Sequence, residues 1–380
     1  KTIKTIESAT EKSISSFAKL SLSLLFLLAV FLWTYSSHGK VPDNTFLIIG
    51  AIFGAYMALN IGANDVANNV GPSVGAKALT LTGAIIIAGI FESAGAIIAG
   101  GDVVNTIKSG IIDPNLITDK NSFIWAMTAG LLAGAVWLNF ATSIGAPVST
   151  THAIVGGVMG AGIASAGFSI LNWGSLFEIA SSWIISPLLG GIVAAGFLYF
   201  IKKQIVYKEN MLEQAQKFVP ILIAIMTWAF TTYLILKGLK QLINIGFYSA
   251  SGISILFAIV AYYLTKNSIE KNLSNLTNDR SSVNKLFTPA LIFGAALLSF
   301  AHGANDVSNA IGPLAAINDA IMHGGTSVQA SVPFWIMFVG AIGIVIGLVL
   351  YGPRLIKTVG SEITELDQMR AFSVAMATAV

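Results

Sequence analysis

The sequence predicts an all-α polytopic membrane protein, built from two repeats with broken and re-entrant helices. Three observations carry that reading. Of the 380 residues, 55% are hydrophobic and only 10% charged, and the mean hydropathy is +0.77. A soluble domain carries about 25% charged residues, so this chain lacks the polar groups to cover itself in water. The apolar residues also come in continuous runs, not in the alternating ~10-residue segments of a membrane barrel. Finally, Gly62-Ala63-Asn64-Asp65-Val66-Ala67-Asn68-Asn69-Val70-Gly71-Pro72 returns as Gly303-Ala304-Asn305-Asp306-Val307-Ser308-Asn309-Ala310-Ile311-Gly312-Pro313, with eight of the eleven positions identical.

Composition also excludes several classes. The net charge is only +3, and the basic residues lie in short loops. That distribution sets membrane topology and is not a nucleic-acid footprint. The expected environment is the lipid bilayer of a plasma or inner membrane, with no nucleic-acid partner. The absence of Cys removes disulfide and thiol chemistry. Four His without Cys argue against structural zinc, and no resident cofactor is expected.

Taken in order, Lys1 to Ala18 reads as an amphipathic or solvated lead-in. Leu20 to Tyr35 is a retained span of marginal length, since a crossing needs about 20 residues. His38 to Asn44 is a short polar turn with Pro42. Phe46 to Ile61 then delivers the chain into the first motif, where Gly62, Gly71, Pro72 and Gly75 interrupt a regular helix. Leu79 to Gly100 is a span holding Glu92. Gly101 to Ser122 is a polar loop with Asp102, Lys108, Asp113, Asp119 and Lys120. Phe123 to Ser143 spans again. Pro147-Val148-Ser149-Thr150-Thr151-His152 leads into the small-residue stretch Ala153 to Gly167, which is short for a crossing and reads as a re-entrant half-helix. Leu176 to Ile201 spans, with Pro187 inside. After the charged loop Lys202 to Lys217 come the spans Phe218 to Leu236 and Ile243 to Leu264. Thr265 to Lys285 is the longest polar linker. Phe287 to Ala301 leads into the second motif, Pro333 to Tyr351 spans, and Gly352 to Arg370 is charged. The apolar segment from Ala371 stops at Val380, and we expect the natural protein to continue.

This divides the chain into a lead-in and first span (1–45), a first repeat (46–201), connecting helices and linker (202–286) and a second repeat (287–380). Gly101 to Ile112 and Gly352 to Ile363 extend the repeat weakly. The span count does not fix whether the halves are inverted or parallel; the inverted arrangement is preferred. Trp33, Trp125 and Trp173 read as interface anchors.

A repeated acid in apolar surroundings needs a reason, because ionisable groups in a membrane are costly and mark ion or substrate paths. Broken helices at matching positions of two halves point to a transporter's binding site. Asp65 and Asp306 supply negative charge, and Asn64, Asn68, Asn305 and Asn309 supply amide oxygens and N–H donors. Such oxygens suit a hard cation. Ser149 reads as an N-cap. A helix starting there turns free N–H groups and the Thr150 and Thr151 hydroxyls toward an anion. His152 reads more simply as a packed hydrogen-bonding residue. Glu92 has no matching acid in the second half; it is an ion ligand, a proton carrier or a group paired within the bundle. Lys77 reads as a snorkelling side chain.

At Gly62 to Pro72, Gly303 to Pro313 and Pro147 to His152 the chain resembles the inorganic phosphate transporter (PiT) family of sodium- or proton-coupled carriers, along essentially its whole length. The resemblance implies an inverted-repeat fold, inorganic phosphate as substrate and often a homodimer. It also implies a shared site made by the paired Asn-Asp motifs and the Ser/Thr element. The family carries a second Pro-Val-Ser-Thr-like element that does not occur before Val380. The expectation is a sodium-driven phosphate symporter with alternating access around a midplane site. Phosphate is assigned to Ser149, Thr150, Thr151, Asn64 and Asn305. Sodium, a co-transported substrate, is assigned to Asp65, Asn68, Asp306, Asn309 and Glu92. Proton coupling through an Asp or Glu92 is the alternative. An intramembrane aspartyl protease using two aspartates as a dyad and a non-transporting phosphate sensor are the rivals from other classes.

Overall fold

Residues 1–38 contain neither Gly nor Pro, and nothing in them interrupts a helical ladder. In the computed structural model α1 accordingly runs Thr2–His38, absorbing the expected lead-in, and its apolar part, Ser15–His38, is long enough to cross a bilayer. The described residues are 2–41, 44–101, 104, 110–113, 116–117, 119–238, 245–273, 276–323 and 332–380, with side chains described from residue 15. Pro42, Asp102 and Lys108, and most of the 101–112 stretch compared with 352–363, fall outside them.

The first motif interrupts its helix: α2 spans Asn44–Asn64 and α3 spans Ala67–Gly75. Then come α4 (Leu81–Ala99), α5 (Lys120–Ile144), α6 (Thr150–Ala166) and α7 (Trp173–Ile201). They are followed by α8 (Met211–Tyr233), α9 (Phe247–Lys271) and the short α10 (Arg280–Lys285). The chain closes with α11 (Thr288–His323), α12 (Phe334–Lys357) and α13 (Gln368–Ala379). Nine helical segments among the described residues are long and apolar enough to cross a membrane. The protein is a multi-pass, all-helical membrane protein.

The second motif differs from expectation. It lies inside the uninterrupted α11, with Pro313 in the helix. Gly and Pro stand at the same places in both copies, so these residues alone do not break the helix. Membrane helices tolerate Pro where neighbours satisfy the freed carbonyl. In the first copy the interruption falls at Asp65–Val66, between the glycines. Lys77, one residue past the C-cap of α3, has a left-handed backbone (φ 59°) and an exposed side chain.

The chain packs as two compact units, each drawing on segments far apart in sequence. The first unit holds Lys1–Asp65, Gly100–Asn172 and Asp306–Leu355. In it α2 meets α12 at backbone contact: a Cβ on Gly62 would lie 1.8 Å from the Ile344 carbonyl oxygen, and one on Gly347 1.8 Å from that of Leu59. Gly54 of α2 faces the Leu314 side chain of α11, whose Cδ2 would lie 3.1 Å from a Cβ there. α5 and α6 form a tight hairpin, with Gly157 against the Gly130 backbone. Small residues permit this approach where no hydrophobic effect separates helix from lipid.

The second unit holds Val66–Ala99, Trp173–Asn305 and Ile356–Val380. Its core gathers Phe287, Phe372, Met226, Val219, Ile205 and Ile269. Gly75 meets the Gly360 backbone, and Gly95 meets the Phe300 carbonyl. α7 is exposed along nearly its whole length, with Leu188, Ile184 and Ile192 outward, as suits a lipid-facing helix. Trp33, Trp125 and Trp173 are all exposed, in keeping with interface anchoring.

Gly347→Ala forces a methyl into the Leu59 backbone, and we expect it to destabilise the protein by about 1–3 kcal/mol, as overpacking does. Gly196→Ala, on an open face of α7, should be neutral or gain up to about 1 kcal/mol. Thermal melting of the purified protein in detergent checks both; equal melting points would refute the close contact.

Candidate functional site

The first unit builds its site around the turn between α5 and α6. Gly145 ends α5 at φ 78°, a left-handed position that Gly fills without strain. Its N–H bonds the Thr142 carbonyl at 3.0 Å, and the Ala146 N–H bonds that of Ala141 at 2.9 Å, the paired closure of a Schellman end. Arg354 of α12 donates to the Ser143 carbonyl at 2.7 Å. Three more polar groups of the turn are met by one side chain. Asn64, fully buried, donates to Thr142 Oγ1 (2.9 Å) and to the Ala146 carbonyl (3.1 Å), and its Oδ1 accepts from the Val148 N–H (3.0 Å). Both amide hydrogens are thus committed to the turn.

Held this way, the turn presents the start of α6. Ser149 is the N-cap, as its residue type predicts, and its hydroxyl accepts from the His152 N–H at 3.2 Å. Thr150, buried, comes next. Its Oγ1 lies 2.9 Å from Asp65 Oδ2 and 2.7 Å from Asp306 Oδ2. The repeated aspartates, far apart in sequence, therefore converge on a single hydroxyl. Each offers a carboxylate oxygen within 4.8 Å of the other's. Asn309, buried on α11, donates from Nδ2 to Thr150 Oγ1 (3.3 Å) and Thr151 Oγ1 (3.2 Å). A hydroxyl has one hydrogen, so it can serve only one of the two carboxylates at a time. When both are ionised they repel by roughly 3–4 kcal/mol at an effective dielectric of about 20. The arrangement suits a small cation lodged with them.

The other residues singled out from sequence belong to the second unit. Glu92 is fully buried on α4. Its Oε1 accepts from Asn69 Nδ2 at 2.7 Å, and both its oxygens lie 2.9 Å from His302 Nδ1. Of the three roles open to Glu92, a group paired within the bundle is the one this geometry displays. Asn68 is exposed, whereas its neighbour Asn69, replaced by Ala310 in the second motif, reaches Glu92. Asn305 donates to the Tyr233 hydroxyl at 3.1 Å. Asn69, His302 and Tyr233 escaped the sequence reading. The first two had a signal, since one lies inside the duplicated motif and the other adjoins it without a counterpart; Tyr233 had none.

Residues 61–380 match the phosphate transporter family. The chain belongs to that family. A Helicobacter pylori protein named as a candidate phosphate permease is 52% identical over 381 residues, covering all of this chain and 72% of its own length. One so named from Pyrococcus furiosus is 37% identical over 328 residues, covering 86% of this chain and 79% of itself. Among solved structures, a sodium-dependent phosphate transporter superimposes with a TM-score of 0.81 at 34% identity, covering 88% of this chain and 82% of its own. This phosphate transporter is accordingly not an enzyme, and the protease reading falls.

In this phosphate transporter, Glu92→Leu leaves His302 Nδ1 and Asn69 facing an apolar side chain. We expect a loss of roughly 3 kcal/mol, the scale for breaking a buried pair. Glu92→Gln, which keeps an acceptor for Asn69, should lose far less. Chemical or thermal denaturation in detergent measures both, and equal losses would rule out the pairing.

Proposed function

We propose that the chain imports inorganic phosphate by symport with sodium, and that sodium binds between Asp65 and Asp306. The observation carrying this reading is the single Thr150 hydroxyl shared by the two carboxylates. Sodium takes oxygen ligands, and the two carboxylates, Thr150 Oγ1 and the Asn309 side-chain carbonyl supply a set of that kind. Glu92, bonded to Asn69 and His302, and exposed Asn68 are left out of the set, which revises the assignment made from sequence. The name of the superimposed sodium-dependent transporter supports the choice of cation.

Phosphate is assigned to Ser149, Thr151 and the N–H groups at the start of α6, a helix terminus suited to anions; Asn305, bonded to Tyr233 in the second unit, is left out of the set. Asn64 acts by holding the turn that carries them. Coupling follows from charge. An anion approaching two ionised carboxylates is repelled until cations neutralise them. Each substrate then raises the affinity for the other by the same factor.

The test is labelled-phosphate uptake into proteoliposomes under an inward sodium gradient and under the same gradient of potassium. Uptake with sodium alone is expected. Equal uptake in both, abolished by a protonophore, would replace sodium with protons. Asp65→Asn and Asp306→Asn should each abolish sodium-dependent uptake.

Thr150→Val removes a hydrogen bond to a charged group, a contribution of about 1.5–3 kcal/mol, and should weaken apparent sodium affinity about 10- to 100-fold. Thr150→Ser should restore most of it. A Val variant with unchanged sodium dependence would eliminate the shared hydroxyl from the site.

A further inference from the structure

Three basic residues of the second unit, from three separate charged segments, line one small cavity of about 100 Å³: Lys202, Arg280 and Arg370, with Asp367 and Tyr207 beside them. Lys202 opens a π-helical turn, Lys202–Val206, that ends α7, and the Tyr207 N–H closes it on the Lys202 carbonyl at 2.9 Å. Such turns are rare and recur at functional positions. Arg280 starts α10, and Arg370 lies in the first turn of α13.

The charges do not cancel. Among the described residues lining the cavity Asp367 is the one acid, and both of its oxygens are engaged. Oδ1 caps α13 by accepting from the Arg370 N–H (2.9 Å), and Oδ2 takes the Arg280 guanidinium at 2.8 Å. Arg370 directs Nη1 at the backbone carbonyl of Glu365, 2.9 Å away. Neighbouring Asp279 is turned to its own helix: it caps α10 through the Ser282 N–H and takes the Thr277 hydroxyl, and these bonds hold its carboxyl below the usual range. One carboxylate thus faces three cations, leaving two positive charges over. Each guanidinium has five N–H donors in a fixed fork, and each shows one of them used here. Lys202 is half-buried, unlike exposed Lys203, which lies over the Tyr199 ring.

We propose that this cavity is a binding site for a phosphoryl oxyanion, either free phosphate or the phosphate of an anionic lipid headgroup. The guanidinium fork matches phosphate oxygens in pairs, and the ammonium adds a point charge. The volume admits one tetrahedral anion and excludes a nucleotide. Basic residues concentrate in these same segments, which places them on the cytoplasmic side. There either source is at hand: imported phosphate, or a leaflet rich in anionic lipid. The site shares no residue with the transport site proposed above and does not depend on it.

The experiment is acylation of lysines in the full chain, embedded in lipid nanodiscs and read residue by residue by mass spectrometry. Inorganic phosphate is titrated in nanodiscs of neutral phosphatidylcholine, and nanodiscs containing phosphatidylglycerol are compared without phosphate. Lys203 is the internal control. We expect Lys202, and not Lys203, to be protected, about tenfold at ten times the Kd by mass action. Protection by phosphate in neutral lipid identifies a free anion, and protection only by phosphatidylglycerol identifies a headgroup. Arg280→Gln and Arg370→Gln should remove the protection while the variants keep the wild-type melting temperature in detergent, which reports an intact fold. Equal labelling of Lys202 and Lys203 in every condition overturns the site. So does equal protection by potassium chloride at matched ionic strength, which is screening.

Discussion

Within lipid, a turn between helices has no water to take its free backbone groups, and an unpaired buried amide costs about 1–3 kcal/mol. In the first unit Asn64 meets much of this demand at the turn between α5 and α6. Its one side chain answers the Val148 N–H, the Ala146 carbonyl and the Thr142 hydroxyl. The satisfied turn sets the direction in which α6 begins. That direction puts Thr150 between Asp65 and Asp306. The residue after Asn64 in the motif is therefore aimed by what Asn64 itself holds in place, and the Asn-Asp dipeptide works as one device: the amide fixes the partner and the acid meets it.

The duplicated sequence is put to unequal use. Asn64 is buried and bonded to a turn, while its counterpart Asn305 is exposed and reaches Tyr233. At the second amide the order reverses, for Asn309 is buried against Thr150 and Thr151 while Asn68 is exposed. The aspartates alone keep one role, since both meet the same hydroxyl. The helix is interrupted in one copy and continuous in the other despite identical Gly and Pro positions. Local propensity is a weak prior that packing overrides.

Charge separates further by burial. At buried and half-buried sites it is met by specific partners: Glu92 by Asn69 and His302, the aspartates by Thr150. At the cavity lined by Lys202, Arg280 and Arg370, cations exceed the acid that faces them. Apolar surface lies mostly on α1, α7 and α9, whose residues are largely outward; with lipid as solvent these faces need no protein partner.

The sequence by itself determined the class of protein, the location of most spans and the duplicated Asn-Asp motif. Continuous apolar runs are a property of the chain alone, and an acid repeated within them is informative before any folding. The cap at Ser149 was legible for the same reason, being local chemistry. The tertiary structure decided which polar groups meet. It left Asn68 exposed and sent its neighbour Asn69 to Glu92, supplied His302 and Tyr233 as partners, and drew Lys202, Arg280 and Arg370 to one cavity. Each of these contacts joins residues distant in sequence or depends on which face of a helix is buried. Both follow from how backbones pack, as at Gly95 and Gly303 of the second unit, where a Cβ would meet backbone atoms of another helix.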